Sequence, residues 1–98
     1  MEKRQNAGYD IIKNIVLPNE EFVLGIKTID GTNKYVTWCC VNKTNYHYGH
    51  YIDDYRSALI DLYERAKNSI QWELDRLEEQ KWKHILYVCS FQLMMLTV

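Results

Sequence analysis

Cys39, Cys40, His47 and His50 carry the strongest intrinsic chemistry in this chain, since thiolate and imidazole serve as nucleophiles and as metal ligands. Four such groups suit a tetrahedral zinc ion only when their side chains converge. Strand register decides whether they do. A hairpin turning at residues 42–45 sets Val41 opposite Tyr46, Cys40 opposite His47, Cys39 opposite Tyr48, Trp38 opposite Gly49 and Thr37 opposite His50. Side chains alternate between the two faces of a strand. In this register Cys40 meets His47 on one face, while Cys39 and His50 leave from the other. Unless a bulge intervenes, the set diverges, and neither a metal nor another cofactor is expected. Nucleophilic catalysis by either thiol needs a base and a third group to orient it, and His47 supplies only the base. The chain also lacks a glycine-rich phosphate loop and a His-x-x-x-His pair, so it reads as non-catalytic.

The same alternation sorts the aromatic residues. Val36, Trp38, Cys40, Gly49 and Tyr51 share one face, where the Trp38 ring can lie across the bare backbone of Gly49. That face is expected to pack beneath a helix. The opposite face then carries Tyr35, Tyr46, Tyr48 and His50 as a polar-tipped aromatic ladder, the candidate partner-binding surface, because tyrosine is enriched in interface hot spots. Ordinary cross-strand stabilisation of a half-exposed sheet is the bland alternative.

These residues need a sheet to position them. Tyr9–Leu17 is rich in β-branched residues and reads as a first strand, ended by the turn Leu17-Pro18-Asn19-Glu20. Phe22–Ile26 reads as a second strand, with Gly25 marking a bulge or a close approach by a neighbour. Asp30-Gly31 signals a hairpin into the third strand, Tyr35–Val41, and a fourth follows over Tyr46–Tyr51. Residues 1–8 read as a flexible lead.

From Asp53 the period changes. Asp53 or Asp54 caps a helix whose Tyr55, Ala58, Leu59, Leu62 and Ala66 form one apolar face. Beyond Asn68-Ser69, Ile70, Leu74 and Leu77 line one side and mixed charges the other, as one bent helix or two. Residues 85–98 hold no charge. That tail is shorter than a membrane span and is expected either in the chain's own core or in an oligomer contact. The expected fold is α+β: an antiparallel meander of about four strands (9–51) packed against C-terminal helix or helices (53–96), in a single domain of 98 residues.

Charge narrows the function classes. Twelve Lys+Arg against thirteen Asp+Glu lack the basic excess of a dedicated nucleic-acid binder. Three cysteines form no disulfide framework and the N-terminus holds no apolar leader, which points to a cytoplasmic protein with no membrane partner.

Gly8-Tyr9-Asp10-Ile11-Ile12, Phe22-Val23-Leu24-Gly25, Tyr35-Val36-Thr37-Trp38 and Tyr48-Gly49-His50-Tyr51, followed by Ala58, Asp61 and Arg65, stand in a telling order. This pattern resembles a largely uncharacterised family of small proteins from conjugative elements, plasmids and phages of Firmicutes. The resemblance covers residues 8–67 and departs from the family at Tyr48, where an aromatic such as Trp is expected, and in the short span between Gly25 and Tyr35. It implies the context of a mobile genetic element, whose small proteins include inhibitors of host defence. The leading expectation is a binding inhibitor of a host complex, such as an anti-CRISPR protein acting on a type II RNA-guided nuclease. The alternatives are a single-stranded nucleic-acid module using the tyrosine ladder and a homodimeric accessory protein using the tail.

Overall fold

A computed structural model describes the backbone of residues 3–96 and the side chains of residues 3–81. Its strands are β1 (Gln5–Asn6), β2 (Tyr9–Val16), β3 (Glu21–Ile29), β4 (Thr32–Val41) and β5 (Asn45–Ile52), and its helix is α1 (Tyr55–Leu96). The strands form one antiparallel sheet in the order β1-β2-β3-β4-β5, a meander. The fold is α+β, with five strands in place of four. The added strand falls in the expected flexible lead: Gln5 and Asn6 pair with Asp10 and Tyr9 across an Ala7-Gly8 turn. Both turn residues have positive φ, 52° and 82°. Asp30-Gly31 is built the same way, with φ of 50° and 75°, the geometry that suits a two-residue hairpin to twisted strands.

Two compact units make up the chain, Met1–Lys67 and Asn68–Val98. In the first, each sheet face has its own core. Phe22, Leu24, Tyr35 and Cys39 are buried against Ala58, Leu62 and Ala66 of α1. On the other face Val23, Val36, Trp38 and Cys40 form a second cluster, flanked by Tyr9, Ile11 and Tyr46. Arg4, beside the β1 edge, donates from Nε to the Tyr46 hydroxyl of β5 at 3.0 Å. Contact between opposite edges requires the sheet to curl toward the Trp38 face.

This reverses the expected sides. Trp38 and Gly49 lie on the curled face, away from α1, and the residues beneath the helix are Tyr35, Thr37 and Cys39. The Trp38–Gly49 contact itself forms: a Cβ built on Gly49 would stand 2.8 Å from Trp38 Nε1. Gly25 serves the other side of the ring, where a Cβ would meet Trp38 at 3.3 Å and Tyr9 Cβ at 3.0 Å. Two glycines on the strands either side of β4 therefore clear the space that one indole fills.

The helix starts where its capping residue allows. Asp54 Oδ2 accepts from the Ser57 backbone N–H at 2.9 Å, satisfying a donor that the first turn leaves open. Asn68-Ser69 produces no break, and α1 is one helix. The expected roles of the tail fall on side chains outside the described residues.

Candidate functional site

The last hairpin sets the geometry of every residue singled out above. Its loop is three residues, Asn42-Lys43-Thr44, with Asn42 and Lys43 at positive φ (57° and 62°). Val41 therefore pairs with Asn45, Cys40 with Tyr46 and Cys39 with His47, one step from the expected register. The slip is cancelled at a bulge between Thr37 and Cys39, so that Thr37 pairs with His50 as expected. Trp38 then faces both Tyr48 and Gly49. Tyr48 takes a φ of 55°, in the left-handed region that L-residues avoid.

The expected ladder is not assembled. Tyr35 is buried beneath α1, 8% exposed, with its ring 5.7 Å from that of Tyr55. Tyr46 sits on the opposite face, edge-on to Trp38 at 5.6 Å. Tyr48 projects from the bulge, 78% exposed. His50 returns to the helix side. Together the shorter loop, which moves His47, and the bulge, which restores His50, correct the sorting of the cysteines and histidines: Cys39, His47 and His50 share the helix-side face, and Cys40 alone is on the other. Among the described residues, however, no three of His, Cys, Asp and Glu come together as a metal-holding group.

His50 belongs to a polar cluster that joins β4, β5 and α1. Its Nδ1 lies 2.9 and 3.1 Å from the two carboxylate oxygens of Asp61. The buried Thr37 hydroxyl donates to the same carboxylate. Arg65 donates to the Thr37 carbonyl at 3.0 Å and reaches its hydroxyl oxygen at 3.1 Å. An ionised carboxylate has no proton to give, so Nδ1 carries the hydrogen and Nε2 of a neutral ring is left as an acceptor. The order of groups matters. In a hydroxyl–imidazole–carboxylate relay the imidazole stands in the middle; here the carboxylate does. Thr37 is therefore tied to Asp61 and is not poised for attack through His50.

A second cluster closes the curled face. Arg4 makes a forked pair with Glu21 at 2.6 and 2.9 Å, and Asn14 adds a bond to Glu21 at 3.0 Å. Arg4 also reaches Cys40 Sγ at 3.4 Å. Glu21 is buried, and the guanidinium holds its carboxyl below the usual range. A forked, charge-assisted pair is the geometry that lets a carboxylate stay ionised inside a fold. Burial raises both thiols: Cys39, with Glu20 beside it, is pushed up to about 11, and Cys40 also rises. At neutral pH both are thiols, poor nucleophiles and poor metal ligands. Nearby, Pro18, Asn19, Glu21, Cys40 and Lys43 help line a cleft of about 160 Å³, smaller than the roughly 300 Å³ at which small-molecule sites begin.

No known family model, curated protein or solved structure matches this chain. The site must therefore be read from its own residues. No helix among the described residues is long and apolar enough to cross a membrane.

The residues that sequence reasoning missed are Tyr51 and Arg4. Tyr51 is 68% exposed on β5 and packs its ring 6.3 Å from Tyr9. The expected register placed it on a helix-covered face and so hid it. Arg4 lies in a polar lead with no periodic signal, and its role depends on a carboxylate seventeen positions later. Asp61 and Arg65 entered only through the family resemblance. Their spacing of four on a helix places them on one face, which was the available signal for a joint role.

Proposed function

We propose that this chain is a non-catalytic binding protein that meets a partner protein along β5, with Tyr48, Tyr51 and His50 as the contact residues. One observation carries the reading. Tyr48 is held with its backbone in the left-handed region while its ring is in solvent. Local structure alone would favour Asn or Gly there, and such strain tends to accumulate where function needs a side chain in a fixed place. The bulge at the same point interrupts the sheet edge and blunts it against strand addition. Contact through side chains therefore fits better than contact through the β5 backbone. Satisfied polar clusters and protonated thiols support a binding role over a catalytic one.

The sequence resemblance supplies the first partner class to test, a type II RNA-guided nuclease of a bacterial host, which this protein would inhibit. The test is a pull-down and a target-cleavage assay with that effector, using the intact chain and a Tyr48→Ala/Tyr51→Ala double variant. Complex formation and inhibition by the intact chain, both weakened in the variant, are expected. No complex with the intact chain overturns the choice of partner, and full binding by the variant overturns the β5 surface. Tyr46 and Tyr35 are unsuitable probes, since both pack in cores and their loss would weaken the fold.

A further inference from the structure

The second unit carries an apolar stripe that belongs to none of this. Ile70, Leu74 and Leu77 recur at i, i+4 and i+7 on α1 and are 49%, 44% and 50% exposed. The 4-3 spacing is that of alternating core positions in a two-helix seam. A helix that shows such a stripe to water is stable mainly when another surface covers it. In the seam register the residues flanking the stripe are Gln71, Glu73, Glu78 and Gln80. They include no cation. Lys81 closes the stripe in line, and Arg76 points elsewhere, 5.1 Å over the ring of Trp72.

From this charge pattern we propose that residues 70–77 dock an amphipathic helix of a partner protein whose apolar seam is flanked by Lys or Arg. A second copy of this chain fits less well. In a parallel pair Glu73 of one copy stands beside Glu78 of the other, and like charges at flanking positions oppose pairing. In an antiparallel pair the flanks again offer only the same glutamates and glutamines. A helix with basic flanks neutralises both acids and buries the three side chains in the same step.

The surface shares no residue with β5, so the two proposals fail separately. Two fluorescent peptides of about four heptads test it, both with Ile and Leu in the seam, one with Lys and one with Glu at the flanking positions. Anisotropy with the full chain should show the Lys peptide binding about tenfold more tightly, a preference suppressed by high salt. The Glu73→Lys/Glu78→Lys variant should prefer the Glu peptide, and Leu74→Glu should bind neither. Circular dichroism verifies that each variant keeps its helix. Equal binding of both peptides, or binding of neither, overturns the proposal. So does a homodimer in light scattering that Leu74→Glu splits, because a second copy would then be the occupant.

Discussion

At Tyr48 the proposed partner contact would come at a cost to stability. A left-handed φ costs an L-residue about 1–2 kcal/mol, and Asn tolerates it better than most. Tyr48→Asn should therefore raise stability by about 0.5–1 kcal/mol in urea denaturation while weakening the proposed partner contact. A loss of stability would show that the ring contact with His47, at 5.2 Å, outweighs the strain. Glu21 is the opposite case, a residue that serves the fold. Its carboxyl is lowered from the ordinary 4.5, chiefly by the Arg4 hydrogen bonds. The unfolded chain therefore takes up this proton at a higher pH than the folded chain. The stabilisation is fully present above about 4.5 and is lost as pH falls through the lower folded value. Asp10 and Asp54 are lowered as well and share the acid limb. Glu21→Gln should cost about 1–3 kcal/mol at neutral pH. It should also make the decline of stability between pH 5 and the acid limit shallower, by an amount that urea titrations at several pH values can read.

At the scale of elements, the last hairpin decides which side of the sheet each aromatic residue occupies. Alternation along β4 was legible from its residue types, and Cys39 and Cys40 do lie on opposite faces. What was not legible was a loop of three residues in place of four, followed by a bulge that restores the pairing of Thr37 with His50. A one-residue slip exchanges the faces of every side chain it covers, which is why Tyr46 and His47 traded places. The choice of face for the helix failed for a different reason. Both faces of β4 are apolar, so composition could not say which one α1 covers. The Trp38–Gly49 contact survived because it needs only a neighbouring glycine on the next strand. Gly49→Ala should cost about 1–3 kcal/mol in thermal or urea unfolding, since a Cβ 2.8 Å from a buried indole forces the ring to move. An unchanged midpoint would mean that Trp38 has room to shift.

Across the first unit, the Thr37–Asp61–His50–Arg65 cluster ties the edge strand, an inner strand and the helix at one point. Its members are spread over twenty-eight positions of sequence. Asp61→Ala removes the shared acceptor and leaves a buried hydroxyl to find another partner, at about 1–3 kcal/mol. Amide exchange should then quicken in β5 and at the start of α1 together. Faster exchange in only one of them would show that the cluster does not join the two.

The α+β meander, the Asp30-Gly31 hairpin, the helix start at Asp53-Asp54 and its Ala58–Leu62–Ala66 face were determined by sequence alone, because each rests on residues close together in the chain. Local signals of this kind fix elements and turns. The strand at Gln5–Asn6, the bulge at Tyr48, the helix-covered face of the sheet and the Arg4–Glu21 pair were decided only in the tertiary structure. Each depends on what two distant segments do when they meet: a lead strand needs β2 to pair with, a bulge needs a partner whose register it corrects, and a buried carboxylate needs its guanidinium. The cysteines and histidines with which the chemistry began follow the same division. Their types were read from sequence, but a bulge and a carboxylate on α1 made His50 an anchored imidazole and left Tyr48 and Tyr51 as the exposed surface.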